Sequence, residues 1–300
     1  MKNYFLGVDG GGTKTNVCLI DEEGRCISEF QEEGLNFLGE TSDIAQASLE
    51  KIISKTYEIT VGGNLKSVSI STAGISHKHV QELISEVLIS YKVASQILFS
   101  GDNKIALYSI FPSGYGTVLM SGTGSMCYSR TAYGEFRAGG YGYLLGDEGS
   151  GFDIGKQLLK KICISFDSGN VSVLAEYIKN KLGIHSIQDV IQYSYQGNFK
   201  KRISALSPIL DILVEQNDPD ANDILDSVSK SLIDLVSQVF SRIRTIPDEI
   251  GIYGSVLLKS KPIYDAVVSE LSLAFPSIRV LTPVYSSGYA SALVALRESK

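Results

Sequence analysis

Twice along this chain an apolar, strand-like run stops at a turn of glycine and hydroxyl residues and resumes as a second strand. The first instance is Tyr4 to Asp9, then Gly10-Gly11-Gly12-Thr13, then Thr15 to Ile20. The second is Gly116 to Met120, then Ser121-Gly122-Thr123-Gly124-Ser125, then Met126 to Ser129. Both read as hairpins, and an isolated hairpin is marginal in water, so each is expected inside a larger sheet. Glycine permits positive φ and lets an anion approach the backbone N–H groups. A plain turn accounts for either cluster alone; two such turns facing each other across a cleft would hold a polyphosphate.

The segments around them favour an α/β fold built twice. After the first hairpin, Arg25 to Phe30 alternates as a third strand, and Ile44, Ala47, Leu49, Ile52, Ile53 and Tyr57 mark a helix face. Ser67 to Ser71 reads as a strand, Val80 to Ile89 as a helix, Gln96 to Phe99 as a strand and Lys104 to Ile110 as a short helix. The second half has a helical middle: Phe152 to Ile164, Val171 to Leu182, Ile203 to Val214, and a long helix from Ala221 to Arg244. Glu249 to Tyr253 and Ile278 to Leu281 are strands, Ile263 to Leu271 and Ser287 to Arg297 helices. With 300 residues, two domains are expected, residues 1–115 and 116–300, with the last helix free to pack back on the first.

Composition removes other classes. Hydrophobic residues are 44% and charged ones 20%, enough apolar material for full cores. A net charge of −6 offers no bulk attraction to nucleic acid. No apolar run approaches the ~20 residues that span a bilayer, and the N-terminal residues lack a signal-peptide pattern. A cytoplasmic protein with reduced thiols is expected, since Cys18, Cys26, Cys127 and Cys163 form no CxxC or other close pair in sequence.

Common nucleotide motifs fail. A Walker loop ending at Gly155-Lys156 would need glycine at 150 and a hydroxyl residue at 157, where the chain has Ser150 and Gln157. Gly140-Tyr141-Gly142-Tyr143-Leu144-Leu145-Gly146 has one residue too many for a dinucleotide fingerprint. His77, Lys78 and His79 sit at a predicted helix start with no third His nearby, which disfavours a metal site.

Among the acids, Asp102 follows a strand and precedes a helix, where a carboxylate serves a cleft, an N-cap, or both. Asp147 lies in Gly146-Asp147-Glu148-Gly149-Ser150 before a helix, where it either complements the helix dipole or binds a sugar. Asp9 is placed to hold a metal ion. Asn36 sits in a short loop, where a turn role is its default, and Gly254-Ser255-Val256 joins a strand to a helix, which suits a nucleotide and by itself equally an ordinary strand-to-helix turn.

Taken in order, Asp9 to Thr13, Asp102, Ser121 to Ser125 and Gly254 to Val256 resemble the actin-like (ribonuclease H-like) sugar kinase superfamily. The stretch from Gly139 to Ser150, with Gly-Asp-Glu-Gly-Ser as its most specific part, resembles the BadF/BadG/BcrA/BcrD-type ATPases in their N-acetylglucosamine kinase branch. The resemblance implies a duplicated ATPase fold with two domains around a nucleotide and sugar cleft. It implies an ATP- and Mg²⁺-dependent kinase for the 6-hydroxyl of an N-acetylhexosamine, and a homodimer. N-acetylglucosamine is the expected acceptor and N-acetylmuramic acid a second; a glucosamine kinase and a non-catalytic ATP-dependent sensor are the alternatives.

By the same resemblance Asp102 is the general base. Asn36, Asp102, Thr123, Gly139, Gly140 and Asp147 surround the sugar. Gly11, Gly12, Thr13, Lys14, Gly122, Thr123 and Gly124 meet the phosphates, Gly254 and Ser255 line the nucleotide pocket, and Asp9 serves the magnesium ion. Asn103 and Lys104 depart from the small residues usual after the base. The scattered cysteines offer no iron–sulfur ligand set, and the cysteine-rich zinc motif of ROK proteins is missing. For the lactyl carboxylate of N-acetylmuramic acid, Lys78 or His77 is a candidate partner, against the plain reading of both as solvated helix-start residues.

Overall fold

The structure, a computed structural model, describes residues 2–37 and 42–299. The chain opens with β1 (Asn3–Gly10), β2 (Lys14–Asp21) and β3 (Cys26–Glu33) as an antiparallel meander. Then come α1 (Ser42–Ile59), β4 (Asn64–Thr72), α2 (Lys78–Ser90), β5 (Gln96–Phe99) and α3 (Asp102–Ile110). β4 runs parallel to β1 and β5 parallel to β4, giving the sheet order β3-β2-β1-β4-β5.

A second meander, β6 (Gly116–Ser121), β7 (Ser125–Thr131) and β8 (Gly134–Gly139), follows. Six helices come next: α4 (Gly151–Ser168), α5 (Val173–Leu182), α6 (Ile187–Tyr195), α7 (Phe199–Ser204), α8 (Pro208–Glu215) and α9 (Pro219–Phe240). β9 (Glu249–Tyr253), α10 (Ser255–Lys259), α11 (Lys261–Ala274) and β10 (Arg279–Leu281) finish this sheet, in the order β10-β9-β6-β7-β8. β6–β9 and β9–β10 are parallel. The strand path of the first sheet is thus repeated in the second, with the helical middle inserted where the first has only α1.

The last helix, α12 (Ser287–Glu298), returns to the first sheet. Contacts group the described residues into one unit that ends at Tyr115 and resumes at Pro283, and a second unit, Gly116–Thr282. In the first unit the strand alternation decides what covers each face. Leu6, Val8, Val17 and Leu19 are buried with Leu49, Ile53, Val80 and Ile84 of α1 and α2. Phe5, Cys18 and Ile20 are buried with Ile105 and Tyr108 of α3 and Ala290 to Ala295 of α12.

Small residues let α12 come onto the strands. A Cβ at Gly7 would stand 2.0 Å from Ala292 N and 2.3 Å from Gly288 O, so only glycine fits. Ser291 Oγ donates to Ser69 O at 3.0 Å. The second unit's core is formed by α4, α8, α9 and α11 on the sheet, with Leu158, Leu210, Leu232, Val236 and Val267 fully or almost fully buried.

Several boundaries differ from those read from the sequence. The helix expected over Ile203 to Val214 is two, because Pro208 cannot continue α7's hydrogen-bond ladder and instead opens α8 at its first turn. The long helix runs Pro219–Phe240, capped by Asp218 accepting from Ala221 N at 2.9 Å, and stops short of Arg244. β8 and α6 were not anticipated, and α7 only at its last two residues. Cys18 and Cys26, eight residues apart, meet across β2 and β3 with sulfurs 3.6 Å apart, both free thiols. Among the described residues no helix is long and apolar enough to cross a membrane.

Candidate active site

In the first unit two carboxylates converge. The parallel register of β1 and β4 sets Asp9 opposite Ser71, and Asp102 is the first residue of α3, after β5 ends. Ser71 Oγ donates to Asp102 Oδ1 at 3.4 Å. Burial pushes both carboxyls above the ordinary carboxylate range. At Asp9 the neighbouring charge of Asp102 adds to the rise, while hydrogen bonds from Ser287 and Ser71 oppose it; at Asp102 only Ser71 opposes it. Asp102 keeps more than a third of its residue surface open, so the dehydration acts on a recessed carboxyl rather than on the whole side chain.

The first glycine turn lies exposed beside them. Gly11 N donates to Lys14 O at 2.9 Å, which closes the turn. None of Gly10, Gly11 and Gly12 has positive φ, so a steric reason replaces the expected conformational one at Gly10 and Gly11, and neither applies at Gly12. A Cβ at Gly10 would stand 2.6 Å from Leu35 Cβ, and one at Gly11 3.0 Å from Lys14 O, while one at Gly12 would meet nothing within 4 Å. The loop carrying Asn36 is laid on this turn: Leu35 N donates to Gly11 O at 3.1 Å and Thr72 Oγ1 donates to Leu35 O. Asn36 is half-buried there.

In the second unit the Gly146 to Ser150 stretch is stitched to the other glycine turn. Ser121 Oγ donates to Gly149 O at 2.8 Å, Ser125 Oγ to Glu148 O at 2.6 Å, and Gly151 N to Gly122 O at 2.7 Å. Asp147 is 4% exposed and sits in the left-handed region at φ +65°. Its Oδ1 accepts from Ser125 N at 3.3 Å, and its Oδ2 lies 3.5 Å from Lys200 Nζ. Gly124 has to be small, since a Cβ would stand 2.8 Å from Asp147 Oδ1. Gly139 and Gly140 have φ +74° and +71°, and Gly140 N donates to Ser125 O at 2.9 Å, so this turn borders the same hairpin. Asp147, just ahead of α4, is thus a buried carboxylate held by the hairpin.

Gly254, at φ +98°, abuts that hairpin as well: a Cβ would stand 2.3 Å from Ser121 O. Beside it opens a cavity of about 360 Å³ lined by Thr123, Ser207, Asp211, Ser255, Val256 and Ile263 among others. Ser260 Oγ donates to Asp211 Oδ1 at 2.5 Å. Burial raises the Asp211 carboxyl, and the Ser260 bond partly offsets it.

The first unit therefore joins Asp9, Asp102, the turn Gly11 to Lys14 and Asn36. The second joins Gly122 to Gly124, Gly139, Gly140, Asp147, Gly254 and Ser255. Ser71, Ser287, Asp211 and Lys200 were not singled out from the sequence. Pairing β1 with β4 would have found Ser71; no local pattern marks Lys200. Lys78 is paired at the surface with Glu82 at 3.5 Å. Among the described residues no group of three or more His, Cys, Asp or Glu is arranged for a metal ion.

The chain is similar over its whole length to sugar kinases. The N-acetylmuramic acid/N-acetylglucosamine kinase of Clostridium acetobutylicum is 28% identical over 303 residues, covering 98% of this chain and 99% of that one. The N-acetyl-D-glucosamine kinase of Dictyostelium discoideum is 25% identical over 318 residues, covering 100% and 99%. The crystal structure of the ROK hexokinase from Thermus thermophilus superposes with a TM-score of 0.64 at 14% identity, covering 99% of this chain and 100% of that one. That likeness shows the fold, an actin-like ATPase architecture. With residues 6–293 matching the family model, the chain belongs to the BadF/BadG/BcrA/BcrD ATPase family.

Proposed function

We propose that this chain is an ATP-dependent kinase that transfers the γ-phosphoryl group to the 6-hydroxyl of an N-acetylhexosamine, N-acetylglucosamine foremost and N-acetylmuramic acid second. The observation that carries the reading is Asp102, a recessed carboxyl at the end of a sheet strand, held on one oxygen by Ser71. A sugar hydroxyl attacks well only if its proton has an acceptor at that moment, and a carboxylate deprived of full hydration is a stronger base than a solvated one. The full-length relatives named as kinases of these two sugars support the acceptor class.

Each residue then has a task. Asp102 takes the hydroxyl proton through the carboxylate oxygen that Ser71 leaves available. Asn36 donates and accepts hydrogen bonds and Asp147 accepts them from sugar hydroxyls, so that the ring is oriented, with Gly139 and Gly140 leaving room beside it. Backbone N–H groups of the two glycine turns, with Thr13, Lys14 and Thr123, receive the phosphates; phosphoryl transfer depends mainly on such positioning and charge stabilisation. The cavity beside Thr123 and Ser255 receives the nucleoside against Val256 and Ile263.

The donors around Asp9 suit Mg²⁺. Asp9, with Ser71 and Ser287 beside it, offers oxygen only, the preference of a hard cation, and the repulsion between Asp9 and the neighbouring charge of Asp102 is one that a cation relieves. With so few protein ligands the ion would retain waters and phosphate oxygens. When bound it neutralises charge on the phosphates. A coupled ADP-release assay over N-acetylglucosamine, N-acetylmuramic acid, glucosamine and glucose tests the proposal. Turnover stimulated by an N-acetylated sugar is expected. Activity on glucosamine alone would replace the acceptor, and ATP binding with no sugar-stimulated turnover would make the chain a sensor.

A further inference from the structure

The contact between Asp147 and Lys200 has a consequence for which sugars are accepted. Asp147 is buried, and its Oδ2 has no hydrogen-bond partner among the described residues, yet it lies 3.5 Å from the Lys200 ammonium. Lys200 itself is 36% exposed. Its place is set by aromatic packing: its Nζ lies 5.7 Å from the centroid of the Tyr143 ring, and Tyr143 packs on Phe152 at 5.2 Å and on Phe199, its neighbour in α7, at 5.4 Å. An ammonium carries three donors. One faces Asp147, and the open side of the group leaves the others for an incoming anion.

N-acetylmuramic acid differs from N-acetylglucosamine by a lactyl ether on O3, which brings a carboxylate. Next to Asp147 that carboxylate meets a like charge, which costs binding unless a cation stands between the two. Lys78, the earlier candidate, is 89% exposed and already paired with Glu82 on the surface of α2. We propose that Lys200 decides whether the site accepts an acidic N-acetylhexosamine: its ammonium holds Asp147 when the sugar is neutral and is shared with the sugar's carboxylate when the sugar is acidic. This rests on the kinase reading above, with Asp147 at the sugar.

The test compares kcat/KM for N-acetylglucosamine and N-acetylmuramic acid in wild type, Lys200→Met, Lys200→Gln, Lys200→Arg and Lys78→Ala, with melting curves for each. Methionine keeps a long stem against Tyr143 and removes the charge, and glutamine removes it with a polar stem. In both, kcat/KM for the muramic sugar is expected to fall about 10- to 100-fold more than for N-acetylglucosamine, the range of one charge-assisted hydrogen bond, chiefly through KM. Lys200→Arg should retain most of the muramic activity, and Lys78→Ala should leave the ratio of the two sugars unchanged. An unchanged ratio in folded Lys200→Met and Lys200→Gln, or a ratio moved by Lys78→Ala, would overturn the assignment. A wild type active on N-acetylglucosamine and inert toward the muramic sugar would overturn it and leave the kinase reading standing. A wild type inert toward both removes the kinase reading and this inference with it.

Discussion

Replacing Gly12 by alanine puts a methyl group into open space. Gly12 lies outside the left-handed region and its Cβ would meet nothing within 4 Å. The folded state therefore tolerates the change, with stability altered by about 1 kcal/mol or less and Tm by a few degrees. The phosphates proposed for this turn do not tolerate it, since close approach to the N–H groups is what glycine permits. One lost charge-assisted hydrogen bond is worth about 1.5–3 kcal/mol, which is roughly a 10- to 150-fold rise in Kd for ATP. Gly254→Ala is the contrasting change: at φ +98° its methyl would stand 2.3 Å from Ser121 O. Backbone strain of about 1–3 kcal/mol adds to overpacking of similar size, so Tm should drop by about 5 °C or more. Calorimetric titration with ATP, beside thermal melting of both variants, reads the two effects separately. ATP affinity in Gly12→Ala within twofold of wild type, or a loss that only tracks a fall in Tm, would refute phosphate binding at this turn.

Asp102→Asn keeps the shape and removes the basicity, so kcat should fall by ~10² or more while sugar binding survives; a kcat within threefold of wild type would leave Asp102 only the first residue of α3. Because burial raises the Asp102 carboxyl, it takes up its proton above the usual carboxylate range, and kcat/KM should decline with acidification earlier than a solvated carboxylate would dictate. A flat profile down into that range contradicts the assignment. For stability the sign is opposite: the folded-state values of Asp9 and Asp102 lie above their unfolded value of 3.8. Folding therefore takes up protons between the two, and these groups contribute more as pH falls through that window. Denaturant titrations at several pH values should show this slope shrinking in Asp102→Asn, and an unaltered slope would count against it. Gly7→Ala drives a methyl to 2.0 Å from Ala292 N and should cost about 3 kcal/mol as α12 is pushed off β1; wild-type melting would disprove that contact.

The apolar runs of β1 and β2, buried on both faces, and the helical periodicity of α1, α2 and α9, each buried along one side, were legible from composition and spacing. β8 was not, since its burial pattern is mostly exposed until Ala138 and Gly139, and residues such as Glu135 and Arg137 give no apolar alternation. α6 and α7 are short, and their Gln, Ser, Lys and Tyr residues conceal a period in which only Val190 and Ile203 are buried while Ile187, Tyr193 and Phe199 pack partly on the core. The glycine turns were visible as turns, but at Gly10 and Gly11 the reason for glycine is steric rather than conformational, because Leu35 and the Lys14 carbonyl occupy the space a side chain would need. At Asp147 the sequence left two roles open; hydrogen bonding from Ser125 and the approach of Lys200 come from segments 22 and 53 residues away, which local pattern cannot encode.

The return of α12 to the first sheet bears on how the chain folds as it is made. β1 is synthesised among the first residues, but the helix whose backbone fits against Gly7 emerges only after Gly116–Thr282 has been translated. At ribosomal rates of about 5–20 residues per second that delay is roughly 14–55 s. Throughout it, the side of the first sheet bearing Phe5, Cys18 and Ile20 lacks the alanines that later cover it. The nascent protein thus carries an uncovered apolar layer while its second unit is still being made. Exposed apolar surface of this kind is what makes a partly made chain prone to aggregation, a hazard that the finished molecule no longer carries.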